Sequence, residues 1–421
     1  MNRLLQYVLL LLLGISLRSF SQEKQRVVFD HQLKSSSEQT IVHRQINTTQ
    51  SFPETLHVLC AMVEFQEDND GRTNGNGHFD LSDSLQLIID PPPHNKNYFS
   101  QHLTFAQNYF RKASDEKFII VGDVLDSVYR VPQKMQYYSP PRGSSDNTKI
   151  GLLMNDAWHV VDSVTPGIPF QNYDAFIIFH AGVGRDVASE IKELDPTPFD
   201  IPSIYLNLST LQTIFGSSYQ GVPVADSSYF IRNTMILPET ESRKVSTILG
   251  SYLLQLGING LVVASIGSHL GLPDLFDTKT GRTGIGRFGL MDGQSIFSWF
   301  GVFPPEPSAW EKTFLGWVNP ITISSGDSMY SLPAVSMSNN PDTIYKVLIT
   351  AKEYFLVENR NRDADTNGVT ITYSLGRNTY QRTWYRDTAN FNAYDIDSLY
   401  GTIIDVDEFD WSLPGGVNSK T

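Results

Sequence analysis

Three apolar runs in the first half of the chain set the tightest limit on its fold. Residues 57–63, His-Val-Leu-Cys-Ala-Met-Val, are apolar at nearly every position, which is typical of a strand buried on both faces. Residues 118–121 and 175–179 are further strand-like runs, rich in Ile, Val and Phe. These runs predict that a well-covered sheet lies at the centre of the molecule.

One amphipathic helix is predicted between the second and third of these runs. Its apolar residues recur at i, i+3, i+4, i+7, i+8 and i+11, which places them on one face: Ile150, Leu153, Met154, Ala157, Trp158 and Val161. From residue 321 onward, short runs such as 345–349 and 354–357 are separated by turn residues and indicate antiparallel β structure. The sequence therefore predicts a mixed α/β fold of the α+β class, with a β-rich C-terminal portion.

Composition limits the class of protein and its partners. The 421 residues, 40% of them hydrophobic, suffice for one large packed domain or two. A formal net charge of −13 argues against nucleic acid and anionic membranes as partners. Cys60 is the single cysteine, so no internal disulfide can form. Its place in an apolar run indicates a core residue rather than a nucleophile.

The N-terminal residues have the pattern of a secretory signal. Arg3 precedes an apolar run over residues 7–13, and small residues lead to a predicted cleavage after Ser21. That run is too short to span a bilayer, and no later stretch is predicted to span one. Residues 1–21 are thus predicted to be a signal peptide of a secreted or extracellular protein. Residues 22–51 are polar and aperiodic and predict a flexible leader or pro-segment.

The most informative stretch is residues 257–317. An apolar helix-like run over residues 261–270 ends at Gly271 and is followed by Leu-Pro-Asp-Leu-Phe-Asp, up to Asp277. This segment resembles the zinc-binding segment of the immune inhibitor A family of secreted zinc metallopeptidases. In that family it reads H-E-x-x-H-x-x-G-x-x-D and ends in L-G-L-P-D-L-[YF]-D.

Further blocks similar to that family occur in the same order, so that the resemblance covers about residues 56–415. They are residues 173–182, 289–293, 307–312, 315–317 and 353–360. The resemblance implies a zincin-like metallopeptidase fold, with a metallopeptidase-like domain over residues 52–320 and a β-rich extension over residues 321–421. Because the family usually continues with another strand, we expect the chain to be a truncated product.

Three positions depart from the family pattern. When Gly271 and Asp274 are aligned with the motif, Ala264 stands at the first zinc histidine, Ser265 at the general-base glutamate and Ser268 at the second histidine. Two imidazoles at i and i+4 share one helical face and can reach one ion. A methyl group cannot ligate, and a neutral hydroxyl is a poor zinc ligand and a poor base.

We therefore expect zinc to be lost, because the retained third ligand, Asp274, cannot hold the ion alone. His269 lies about 100° around the helix from the vacant position, and we expect it to interact with free carbonyls at the helix end. His180 and Asp277 are likewise interpreted as structural residues. Ser265 lies outside any G-x-S-x-G pattern, which argues against a serine hydrolase.

An oxygen-ligand loop is suggested by Asp363, Asp365 and Asn367, which are followed by Gly368 and by the Val369 carbonyl at position 7. Position 12 is Ser374, so the bidentate acid that completes such a loop is missing there. A weak calcium site and a solvated acidic turn both remain open interpretations.

Two functions follow from these observations. The first is a catalytically inactive pseudopeptidase whose cleft binds a peptide, a surface polymer or a partner protein. The alternative is an active zinc-dependent endopeptidase in which Asp274, His269 and a ligand from another segment hold the metal.

Overall fold

The computed structural model of the protein describes residues 28–29, 54–83, 86–141, 146–188, 196–247, 250–278, 281–323, 329–337, 344–385 and 399–414. The predicted signal peptide, residues 1–21, lies outside these ranges, as does the predicted leader apart from Val28–Phe29. Among the described helices, none combines the length and the apolar character that crossing a membrane requires.

The described elements comprise short and long strands with a smaller number of helices. The strands are β1 Val28–Phe29, β2 Thr55–Glu64, β3 Ile119–Arg130, β4 Ala175–Val183, β5 Val187–Ala188, β6 Ile204–Leu206, β7 Val222–Val224, β8 Tyr229–Ile231, β9 Thr234–Thr240, β10 Arg243–Thr247, β11 Gly250–Leu254, β12 Ile321–Ile323, β13 Ile344–Leu348, β14 Tyr354–Glu358, β15 Val369–Leu375, β16 Asn378–Trp384 and β17 Thr402–Val406. The helices are α1 Lys96–Ala113, α2 Met135–Tyr138, α3 Thr148–Val164, α4 Leu208–Phe215, α5 Asn259–His269, α6 Gly293–Ile296 and α7 Ala309–Phe314.

A five-stranded sheet forms the centre of the molecule, in the order β3-β2-β4-β9-β6. The first four strands are parallel to one another, and β6 runs antiparallel to β9 at the end of the sheet. The three apolar runs of the sequence lie in β2, β3 and β4, which confirms the predicted strands. Three separate two-stranded sheets are antiparallel: β1 with β5, β7 with β8, and β10 with β11.

The strand β2 shows why this sheet is buried on both faces. Val58, Cys60 and Met62 belong to a core that also contains α1 and α5. The alternating residues of β2 pack into a second core with α3. Successive side chains of a strand point to opposite faces, so a strand between two helical layers must be apolar throughout. The predicted helix over residues 148–161 is confirmed by α3, and all six of its predicted apolar residues are buried.

The C-terminal portion contributes two three-stranded sheets, β12-β13-β14 and β16-β15-β17. The pairs β13–β14 and β15–β16 are antiparallel, as predicted, but β12 runs parallel to β13. About 20 residues separate β12 from β13, which is long enough for the crossover that parallel pairing needs. β17 packs against α1 and shares its core. The fold is therefore mixed α/β, with several sheets and few helices.

Candidate functional site

The helix α5 is a core helix. Every residue from Asn259 to Ser268 is buried, and the helix packs against α1, β6 and β9. A helix that is apolar on all sides must be surrounded by protein, which explains the long apolar run in the sequence. Gly271 follows the last turn with φ +88°, a left-handed conformation that glycine adopts without strain and that ends a helix.

The three positions that depart from the motif present no set of donor atoms. Ala264 is fully buried and offers a methyl group. The Ser268 hydroxyl donates to the Ala264 carbonyl oxygen at 3.2 Å, so it is used within the helix itself. The buried Ser265 Oγ makes no hydrogen bond within the described part of the chain. This helical face therefore lacks the imidazoles and the carboxylate with which zinc is bound and water activated.

Asp274 and His269 lie at the C-terminal end of α5. The Asp274 Oδ1 is buried and has no hydrogen-bond partner in the described residues, and burial raises the pKa of this carboxyl to about 7. Burial lowers the pKa of His269 to about 4, so its ring is neutral at physiological pH. Its Nδ1 lies 3.3 Å from the Tyr205 hydroxyl on β6. The prediction that His269 interacts with free carbonyls at the helix end was wrong, because its ring packs against Tyr205 of the neighbouring strand β6.

The turn formed by residues 289–293 lies against α5. A Cβ added to Gly267 would stand 2.8 Å from the Met291 sulfur, so helix and turn are in close contact. Glu311 fixes the turn, because its two carboxylate oxygens accept from the Met291 N–H at 2.7 Å and the Leu290 N–H at 3.2 Å. The sequence analysis included Glu311 in a block similar to the family but gave it no role. The pattern of Ser308 followed three residues later by Glu, a capping box at the start of α7, was the signal that could have found it.

The two other candidate residues occupy structural positions. His180 is fully buried in β4, its ring packs against Phe65, and burial lowers its pKa to about 4. Asp277 lies in an exposed turn, where its backbone N–H donates to the Arg282 carbonyl and its carbonyl accepts from the Gly281 N–H.

Three carboxylates converge at the predicted oxygen-ligand loop. Oxygens of Asp363, Asp365 and Glu408 lie within 4.8 Å of one another. Burial, with the charges of Asp410, Asp363 and Asp365, raises the pKa of Glu408 to about 7. The Asn367 side chain donates to Asp365 at 2.5 Å, and Val369 begins β15. Sequence spacing could not find Glu408, because it comes from the segment after β17.

A cavity of about 560 Å³ lies elsewhere, at the start of α1. Its lining includes Met62, Lys96, Ser100 and Val128, whereas neither α5 nor Asp274 borders it.

The raised pKa of Asp274 predicts a pH dependence of stability. A carboxyl with a raised folded pKa stabilises the fold below its ordinary value near 4 and loses that contribution as pH rises through about 7. We expect Asp274→Asn to be about 2 kcal/mol more stable relative to wild type at pH 8 than at pH 4, after allowing for partial exposure. Urea unfolding at both pH values measures this. Asp83→Asn, an exposed carboxyl, is the control, and equal shifts in both variants would contradict the prediction.

A scan against models of known protein families and a search of curated proteins both find no match for this chain.

Proposed function

We propose that the protein is a secreted, immune inhibitor A-type pseudopeptidase, which binds a peptide, a surface polymer or a partner protein along the terminal strand β6, against which α5 packs, without hydrolysing it. One observation carries the proposal. The helix whose sequence aligns with the metal-binding segment of that family presents a methyl group and two hydroxyls, at Ala264, Ser265 and Ser268, and all three are buried.

The arrangement of the sheet supports a zincin-like scaffold. The antiparallel strand β6 ends the central sheet, and α5 packs directly against it. The turn of residues 289–293, called the Met291 turn below, packs against α5 at Gly267. The terminal strand of a sheet is a place where an extended peptide can add by main-chain hydrogen bonds. The C-terminal end of α5 contacts β6 through His269 and Tyr205, so a peptide added to β6 would lie near this end of the helix.

These residues do not fit zinc. Among the described residues, the one group of three or more His, Cys, Asp or Glu side chains whose ligand atoms all lie within 4.8 Å of one another is Asp363, Asp365 and Glu408. It contains neither His269 nor Asp274. The alternative, an active zinc-dependent endopeptidase with replacement ligands, needs a third donor beside these two residues. No step of a hydrolytic mechanism can therefore be assigned to the residues around α5.

Restoring the motif tests whether α5 holds the geometry of a metal-binding helix. The variant Ala264→His/Ser265→Glu/Ser268→His would complete a ligand set with Asp274. We expect it to retain about one zinc per chain after desalting, while Ala264→His alone retains none. A folded triple variant that binds no zinc would contradict the assignment of α5.

Binding without cleavage is the second part of the proposal. Fluorescein-labelled casein peptides are expected to raise their anisotropy when titrated with the wild-type protein, and to keep their mass in spectra recorded after overnight incubation. A flat titration would contradict a peptide ligand. Release of shorter products would contradict the loss of activity.

A structural calcium site is a second proposal, favoured by the approach of Glu408 to Asp363 and Asp365. Calcium takes carboxylate oxygens at such sites, and an ion here would connect the loop before β15 to the segment after β17. We expect 10 mM CaCl₂ to stabilise the wild type by about 1.4 kcal/mol, for a dissociation constant near 1 mM. Glu408→Gln is expected to abolish that gain. Thermal unfolding with and without calcium measures it, and equal gains in both proteins would contradict the site.

A further inference from the structure

A second group of polar side chains lies buried between α1, β9 and the start of α5. It comprises His94, His102, Asp90, Glu239 and Asn259, each no more than 5% exposed. None of these residues belongs to the site beside Asp274. Buried ionisable groups are costly unless each polar atom has a partner, so the partner of each polar atom constrains where the protons of this cluster lie.

His94 and Glu239 form a fully satisfied ion pair. The His94 Nδ1 lies 2.6 Å from Glu239 Oε1, and its Nε2 lies 3.1 Å from the Asp90 carbonyl oxygen. Both ring nitrogens therefore face acceptors, as in an imidazolium. Burial alone would lower the pKa of His94, but the hydrogen bond and charge of Glu239 raise it above its ordinary value. Glu239 also accepts from the Asp80 and Gly182 N–H groups.

The tautomer of His102 follows from the amide of Asn259. The Asn259 Nδ2 donates to the Ile403 carbonyl oxygen at 2.9 Å, so its Oδ1 is the atom that faces His102 Nδ1 at 2.7 Å. His102 Nδ1 must therefore carry a hydrogen. His102 Nε2 has no hydrogen-bond partner among the described residues, and it lies 3.8 Å from Asp90 Oδ2, just beyond hydrogen-bond length.

We propose that Asp90 and His102 share one proton, as a carboxyl–imidazole pair. This pair stabilises the contact of the sheet β16-β15-β17 with helices α1 and α5, and the stabilisation depends on pH. Without that proton, an imidazole lone pair and a carboxylate would face each other in the core, at the cost of an unsatisfied buried group. The 3.8 Å separation exceeds hydrogen-bond length by less than about 1 Å.

The pair lies where three parts of the molecule meet. His102 belongs to α1. Asn259 is the first residue of α5, and its side-chain amide donates to the Ile403 carbonyl of β17. The backbone N–H of Asp90 donates to the Gly401 carbonyl at 3.2 Å, and its Oδ2 accepts from the Ile258 N–H at 3.3 Å. Loss of the shared proton would therefore weaken the contact of β17 with both helices.

The direction of the pH effect follows from the groups around the pair. Burial raises the pKa of Asp90, although the charges of His102 and His94 oppose this, and burial lowers the pKa of His102. Both shifts favour the proton on Asp90 and a neutral His102 ring. The other titratable groups near the Asp90–His102 pair are Glu239 and Tyr98. The Tyr98 ring packs edge-on against His102. Stability from the pair is present below the ordinary aspartate pKa and is lost as pH rises through the folded pKa of Asp90.

The variant Asp90→Asn tests the role of the shared proton. Its amide N–H can donate to His102 Nε2 at every pH, while its amide oxygen accepts from the Ile258 N–H. We expect the ratio of its folding constant to that of wild type to rise with pH between 5 and 8, by up to about tenfold per unit. Asp126→Asn, whose side chain is 89% exposed in the wild type, is the control. A ratio that is constant with pH would overturn the proposal.

A second measurement needs no variant. In the full chain labelled with ¹⁵N histidine, His102 is expected to show a protonated Nδ1 and an unprotonated, hydrogen-bonded Nε2 at pH 6. An Nε2–H tautomer would overturn the proposal, whatever the stability of Asp90→Asn.

Discussion

Arg360→Ala is expected to lower the free energy of unfolding by about 3–5 kcal/mol, because it leaves buried carboxylates without their cation. The Arg360 side chain is 5% exposed. Its Nε and one terminal nitrogen donate to the two carboxylate oxygens of Asp410, at 2.7 and 2.5 Å. Its terminal nitrogens also donate to the backbone carbonyl oxygens of Glu306 and Phe288. This one side chain therefore connects the segment after β14, the segment before α7 and the end of the described chain.

Urea unfolding of Arg360→Ala at pH 7 measures this loss. The matched control is Arg111→Ala, which breaks an exposed ion pair with Glu116. Exposed pairs contribute about 0–1 kcal/mol, so the two arginine variants should differ by several kcal/mol. Similar losses in both would contradict a buried connecting role for Arg360.

The second large effect is expected from Gly260→Ala, which should cost about 3 kcal/mol or more. A Cβ at residue 260 would stand 1.8 Å from the carbonyl oxygen of Ile296 at the end of α6. That atom is backbone, so no side-chain rotation relieves the overlap, and α5 must move away from the Met291 turn and the core.

The control for Gly260→Ala is Gly71→Ala, since no heavy atom lies within 4 Å of a Cβ at residue 71. We expect the control to change stability by less than about 0.5 kcal/mol. Circular dichroism during urea unfolding measures both variants. Wild-type stability in Gly260→Ala would show that α5 does not pack as closely as described.

The local elements of this fold could be predicted because their cause is local. The run around Cys60 is apolar because two helical layers cover β2, and the spacing from Ile150 to Val161 reflects the one face that α3 buries. The parallel pairing of β12 with β13 was missed, because strand direction depends on a connection rather than on the strand's own residues.

In the candidate site, too, the sequence predicted the features with a local cause and missed the long-range contacts. Gly271 ends α5 as its sequence indicates. The contacts of Glu408 with Asp363, of Arg360 with Asp410, and of Asn259 with Ile403 join residues tens or more than a hundred positions apart. No local pattern encodes such contacts, so they emerge only when the chain is folded.

Zinc retention by the wild-type protein is the most direct test of the central claim that α5 no longer holds a catalytic metal. The protein would be incubated with excess zinc, desalted and analysed by mass spectrometry of its metal content, with casein cleavage measured in parallel with and without a chelator. The account predicts far less than one zinc per chain and no chelator-sensitive cleavage. One zinc per chain, together with cleavage that the chelator abolishes, would contradict it.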